Sequence, residues 1–187
     1  MTNDRHEVII GGIGGQGVIT IGYALAGAAL ESYKYISRFP IYLGTMRGGP
    51  AFCTVIFSNQ EIPAQILSRA HNTVALEDGA YARLKKETKP GGRLFVNSSI
   101  VKKLDPPQDY KLYEVPVTGL AQEMGAPGMA NMIMLGAYRT VTGVMDDELL
   151  LKTVQKELAG GGAKDRMEKI QIAYEKGANY AKEKLGA

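Results

Sequence analysis

Apolar and polar positions along the chain follow two different periods. Glu7-Val-Ile-Ile10 is a short, mostly apolar run closed by Gly11-Gly12, the pattern of a buried parallel strand. From Val18 the period changes: Val18, Ile21, Ala24, Leu25, Ala28 and Ala29 recur at helical spacing and predict a helix of about three turns. Tyr33 to Phe39 predicts a second strand, stopped by Pro40. The glycine-rich loop Gly44-Thr-Met-Arg-Gly-Gly-Pro50 then joins it directly to a β-branched and aromatic strand, Ala51 to Ser58. Further strands are predicted at His71 to Leu76, Arg93 to Asn97 and Lys111 to Val115, with a helix at Asp78 to Lys86 and a turn at Gly91-Gly92. Four helices follow, at Thr118 to Met124, Gly128 to Gly143, Asp146 to about Leu158 and Lys164 to Leu185.

Strands alternating with helices predict an α/β fold: a three-layer α/β/α, Rossmann-like domain whose mostly parallel sheet is covered on both faces. A length of 187 residues suits one well-buried domain, and no repeat or linker divides it, so residues 1–187 are expected to form one unit.

Composition narrows the function. The net charge of +3 is scattered and lacks the aromatic-interleaved basic cluster of a nucleic-acid binder, so no nucleic-acid partner is expected. The start, MTNDRHEVIIGG, has acidic and polar residues where a signal peptide carries a basic region. Val18 to Leu30 is interrupted by Thr20, Gly22, Tyr23 and Gly27 and falls short of the about 20 apolar residues of a membrane span. A cytoplasmic protein with no membrane partner is the expectation. Cys53 is the single cysteine, which excludes an internal disulfide and places any redox metal centre on another chain.

Gly12 to Gly17 is a literal G-x-G-x-x-G between a predicted strand and a predicted helix, where free amides and the positive helix end suit a phosphate. The dinucleotide fingerprint also asks for an acid about 20 residues on, at the end of the second strand. Tyr35-Ile-Ser-Arg-Phe-Pro40 has none, although Arg38 could partner a 2′-phosphate. Gln16, which the fingerprint does not require, adds an amide able to orient a neighbouring group. Three readings stand side by side: an NAD(P) site of an independent oxidoreductase, a contact with some other cofactor, and a turn whose glycines serve packing alone.

Other residues form no self-contained catalytic set. Arg47, between Met46 and Gly48-Gly49, can grip a carboxylate, a phosphate or a partner's carbonyls, or stand as a surface arginine. Cys53, in an apolar strand, is expected as a small buried hydrophobe. His6 and His71 lack the spacing of metal ligands, and Ser98-Ser99 has no histidine nearby in sequence. Glu77-Asp78 is either a pair of acids at the sheet edge or a helix cap. Met124, Met129, Met132 and Met134 mark an apolar helix that is buried in its own core or against another subunit.

The order of motifs is more specific than any one of them. "GIGGQGV", then "MRGG" leading into "AFCTVIFS" and "EI", then "NMIMLGA" at Asn131, together resemble the gamma subunit of 2-oxoacid:ferredoxin oxidoreductases from Val8 to about Gly143. The resemblance implies an oxidoreductase complex that decarboxylates a 2-oxoacid to an acyl-coenzyme A while reducing ferredoxin. It implies alpha, beta and ferredoxin-like delta subunits as partners, with thiamine diphosphate and iron–sulfur clusters held by those chains. This chain is then inactive alone and binds no cofactor by itself; a homodimer is the expectation for the isolated chain. Cofactor or subunit contacts fall on Gly12, Gly14, Gly15, Gln16, Gly17, Arg47, Gly48, Gly49 and Asn131. "MRGG" before a strand containing Cys53 is closest to the 2-oxoglutarate type. The family's Ser-Tyr-Gly-Pro-Glu ahead of that loop is altered, with Tyr42 kept but Ile41 and Thr45 replacing the serine and the acid.

Overall fold

Alternation along the first strand decides the layering. Val8 and Ile10 point into one apolar cluster and Ile9 into another, all three buried, because helices cover both faces of the sheet. The computed structural model describes residues 5–44, 48–106, 109–158 and 164–186. Its strands are β1 (Arg5–Ile13), β2 (Tyr35–Tyr42), β3 (Pro50–Ser58), β4 (Ala70–Ala75), β5 (Thr88–Asn97) and β6 (Lys111–Val115). Its helices are α1 (Val18–Ala29), α2 (Asp78–Glu87), α3 (Val117–Glu123), α4 (Ala130–Thr142), α5 (Asp147–Leu158) and α6 (Lys164–Lys184).

The strands form a six-stranded sheet in the order β2-β3-β1-β4-β5-β6. β1, β4, β5 and β6 are parallel, whereas β3 runs antiparallel to both β1 and β2. The α/β expectation holds, and β3 alone among the described strands runs against the others. α1, α4, α5 and α6 contribute to the larger apolar cluster, while α2 packs on β1, β4 and β5 from the opposite face.

Three boundaries differ from expectation for local reasons. β1 is not closed by Gly11-Gly12 but runs on to Ile13, because β3 pairs with it through Gly11↔Phe52, Gly12↔Ala51 and Ile13↔Pro50. β2 continues through Pro40 to Tyr42, because it is the edge strand and one of its sides has no ladder in which an N–H is needed. β5 begins at Thr88, well before Arg93. Gly91, at a φ of 72°, takes up a register shift between the Ala70 and Asn72 pairings, so it is an irregularity inside the strand and not a turn before it.

The methionine-rich helix belongs to the core. Met132 and Met134 are buried, and α4 lies so close to α6 that a methyl group at Gly136 would overlap the Tyr174 carbonyl. The converse contact sets Gly177 against the Ile133 carbonyl. Arg139 and the Tyr174 hydroxyl both bind Asp147 at 2.5 Å, tying α4 and α6 to the start of α5.

At the opposite edge from the glycine turn, Glu7 is 4% exposed and held by Lys89, by His71 at 3.2 Å and by Arg5 at 3.5 Å. Burial alone would raise its pKa, but the hydrogen bond and charge of Lys89, with those of His71, bring it below its ordinary value of 4.5. A lowered native pKa means that this contribution to stability is complete above the unfolded value and is lost as pH falls through the native one. Glu7→Gln is therefore expected to lower the urea midpoint at pH 7 and to flatten its decline below about pH 4.5. Midpoints of both proteins across that range check it. His6, stacked on Phe57 at 5.3 Å, has a pKa lowered by burial and adds a loss of the same sign that begins at higher pH.

Candidate functional site

β1 and β4 are neighbours whose onward connections diverge. β1 leads through α1 to β2 on one side, and β4 leads through α2 to β5 on the other. A crevice opens at the carboxyl ends of such a pair of strands, and both glycine motifs lie there.

The turn after β1 and the loop before β3 are joined by hydrogen bonds. Gly14 N–H donates to the Gly49 carbonyl at 2.8 Å, and Gly48 N–H donates to the Gly14 carbonyl at 3.3 Å. Motifs distant in sequence thus become one structure, because β3 lies beside β1 and the Gly12↔Ala51 and Ile13↔Pro50 pairing continues past the strand ends. Arg47 and Thr45 lie outside the described residues.

Each glycine of the turn has its own requirement. Gly17 precedes α1 at a φ of 78°, in the left-handed region, and Asn131 packs so tightly on it that any side chain would overlap. A Cβ at Gly12 would lie 2.6 Å from Gln16 Oε1. Gly15 differs: its φ is 104°, and a Cβ there would meet nothing within 4 Å. It lines two openings, one of about 220 Å³ toward Asn131 and one of about 250 Å³ toward Tyr42 and the first turn of α1. That first turn contains no acid, and no side chain caps it.

Gln16 Oε1 accepts from Ile13 N–H at 2.9 Å, and its amide nitrogen donates to the Leu76 carbonyl at 3.4 Å. Asn97 Nδ2 donates to the same carbonyl at 3.2 Å and to Thr118 Oγ1 at 2.9 Å. Gln16, Asn97, Thr118 and Asn131 therefore give the smaller opening uncharged amide and hydroxyl walls among apolar residues. Of the predicted contacts, Gly14, Gly48 and Gly49 form one group, and Gly15, Gln16, Gly17 and Asn131 another beside it. Gly12 is buried behind Gln16. Asn97 and Thr118 were not among the predicted contacts. A polar residue ending an apolar strand was the available sign for Asn97.

Other candidates have structural roles. Glu77 caps α2, accepting from Ala80 N–H at 2.6 Å and Gly79 N–H at 2.8 Å. The Arg38 guanidinium lies 4.0 Å from the Tyr23 ring centre. Cys53 is buried against Gly22, and burial pushes its thiol up to about 11. Ser99 accepts from Gly119 N–H at 2.9 Å.

In the dinucleotide fold the ribose-binding acid ends the strand beside β1. Here β3 occupies that place and runs the opposite way. No group of three His, Cys, Asp or Glu side chains that could hold a metal ion is present among the described residues. Cys53 alone does not provide the ligand set of an iron–sulfur cluster. Among the described residues no helix is long and apolar enough to cross a membrane.

The profile of the pyruvate ferredoxin/flavodoxin oxidoreductase family matches residues 7–180, and the chain belongs to that family. Its homologues are gamma-type subunits of 2-oxoacid:ferredoxin oxidoreductases, as the motif order implied. The 2-oxoglutarate synthase subunit KorC of Methanocaldococcus jannaschii is 31% identical over 182 residues, covering 96% of this chain and 95% of that one. The pyruvate synthase subunit PorC of Methanothermobacter marburgensis is 29% identical over 178 residues, covering 91% and 96%. The keto/oxoacid ferredoxin oxidoreductase gamma subunit of Geobacter sulfurreducens superposes with a TM-score of 0.79 at 28% identity, covering 97% and 99%. The fold also matches, with a TM-score of 0.87 at 22% identity, 96% of this chain onto 31% of a longer one. That chain is from the 2-oxoglutarate:ferredoxin oxidoreductase of Magnetococcus marinus, solved with 2-oxoglutarate, coenzyme A and succinyl-CoA bound.

Proposed function

We propose that this chain is the gamma subunit of a cytoplasmic complex that oxidatively decarboxylates 2-oxoglutarate to an acyl-coenzyme A and reduces ferredoxin. In this reading its joined glycine loops contact coenzyme A at the boundary with the alpha and beta subunits. Thiamine diphosphate and the iron–sulfur clusters belong to the partner chains, the latter to a ferredoxin-like delta subunit. This chain supplies binding and orientation.

The observation that carries the contact is the pairing of Gly14 with Gly48 and Gly49 beside the first turn of α1. Backbone amides at an acid-free helix start favour an anionic group such as a coenzyme's phosphates. Gly15, with open space where a side chain would begin, is the part of the turn that an incoming group meets. The choice of 2-oxoglutarate is supported by the "MRGG" loop before the Cys53 strand and by the name of the 31% identical relative.

Gly15→Val in the assembled complex tests the contact. A branched residue at a φ of 104° displaces the turn and fills the opening, so KM for coenzyme A is expected to rise about tenfold with KM for the oxoacid unchanged. Weakened assembly with both Michaelis constants unchanged would instead assign the loops to subunit packing. The substrate is tested by kcat/KM of the complex, expected to be higher for 2-oxoglutarate than for pyruvate; the reverse order would place the enzyme with the pyruvate synthases.

A further inference from the structure

We propose that Gln16 is a positioning residue: it fixes the glycine turn for coenzyme A through the backbone and does not touch the coenzyme. This rests on the reading that the turn makes that contact.

Both ends of the Gln16 side chain are engaged within the fold. Its oxygen accepts from Ile13 N–H at 2.9 Å, closing the loop onto the end of β1, and its nitrogen reaches the Leu76 carbonyl at the end of β4. The side chain folds back over its own strand into space that exists because residue 12 is glycine, since a Cβ there would lie 2.6 Å from Oε1. The first glycine of the motif therefore makes room for Gln16. In a dinucleotide site the motif's glycines instead shape the turn and admit the pyrophosphate.

The far end of the link is itself anchored. Leu76 N–H donates to the Gly11 carbonyl at 2.9 Å, so the Leu76 residue is bonded to β1 through its own backbone and to the turn through Gln16. Its carbonyl also accepts from Asn97 on β5, which in turn donates to Thr118 at the start of α3. The ends of three neighbouring strands and one helix thus meet beneath residues 13–16. Gly14, inside that loop, then passes the alignment to Gly48 and Gly49 through its own two hydrogen bonds. Loss of Gln16 removes the side-chain link between the turn and β4 while leaving the turn's pairing with the β3 side in place.

The test compares the purified complexes carrying wild-type chain, Gln16→Ala, Gly12→Ala and Gly15→Val. For Gln16→Ala the expected result is a KM for coenzyme A raised about fivefold, a part of the loss of its two hydrogen bonds because the effect reaches the coenzyme only through the backbone, with kcat within about twofold. Amide exchange at Ile13, whose N–H loses its acceptor, and at Gln16 is expected to quicken already in the coenzyme-free complex. Gly12→Ala, whose methyl group overlaps Gln16 Oε1 and also crowds Val18 and Leu76, is expected to produce both changes at least as strongly. A raised KM with coenzyme-free exchange unchanged would make Gln16 a direct contact and overturn the proposal. Faster exchange with KM unchanged would make it merely structural and overturn it equally. Gly15→Val separates the two levels: if it raises KM while Gln16→Ala does not, only the positioning role fails, and if it leaves KM unchanged, the coenzyme contact itself fails. Should Gln16→Ala not assemble, Gln16→Met keeps the length and neutrality of the side chain, removes the donor to Leu76, and is held to the same outcomes.

Discussion

Gly177→Ala is expected to destabilise the protein by about 3 kcal/mol, in a position where the helix alone predicts the opposite sign. In the interior of an exposed helix, alanine is favoured over glycine by about 1 kcal/mol. Gly177, however, sits within α6 against α4, and its added methyl group would overlap the Ile133 carbonyl, a backbone group that moves only if the helix moves. Parting the two helices disturbs the packing that buries Met132, Met134, Tyr138 and Ala173, and overpacking of that kind costs typically about 1 to 3 kcal/mol before the lost contacts are counted. Gly136→Ala meets the Tyr174 carbonyl from the other side and is expected to behave alike. Gly128→Ala, with open space at its Cβ, serves as the control with little change. Thermal melts of the three variants check the order, and a Gly177→Ala protein as stable as wild type would show that α4 and α6 pack less closely than described.

Gly17→Ala is the second large effect, and it falls on function. Alanine at a φ of 78° costs about 1 to 2 kcal/mol, and its methyl group would overlap Asn131 at the start of α4. Turn and helix must part, so the cleft between Gly15 and Asn131 is reshaped. KM for coenzyme A in the assembled complex is expected to rise at least about tenfold. Asn131→Gly in the same chain removes the overlap, which extends to the Asn131 Cβ at 2.8 Å, but not the backbone strain, so partial recovery is expected. Full recovery would assign the whole effect to Asn131, and none would assign it to the left-handed backbone.

How much of this was legible in the sequence depended on whether the signal was local. The β1–α1 unit was readable because the change from an apolar run to helical spacing occurs across the glycines themselves. The place of β3 between β1 and β2 was not, because pairing order is a long-range property and the hairpin loop only required β2 and β3 to be adjacent. The same insertion explains the missing acid after β2: the strand that would carry it in a dinucleotide fold is not next to the turn.

Within the site, the glycines were recognisable as a group but not by their separate duties. Gly12 answers to Gln16, Gly17 to Asn131 and Gly14 to the hairpin loop, and each of those partners comes from the folded chain. Asn97 and Thr118 gave almost no sign, since a buried polar residue at a strand end shows its purpose only when its acceptors, here Leu76 and Thr118, are in place. Glu77 could be read either as a sheet-edge acid or as a cap, and hydrogen bonds within α2 decided for the cap.

The central claim is that this chain serves a complex and performs no turnover alone. Its most direct test is reconstitution: coenzyme A-dependent reduction of ferredoxin by 2-oxoglutarate, assayed with the partner subunits alone, with this chain alone, and with both. Activity only in the combined sample is the predicted result. Turnover by this chain alone, or full activity of the partners without it, would contradict the account.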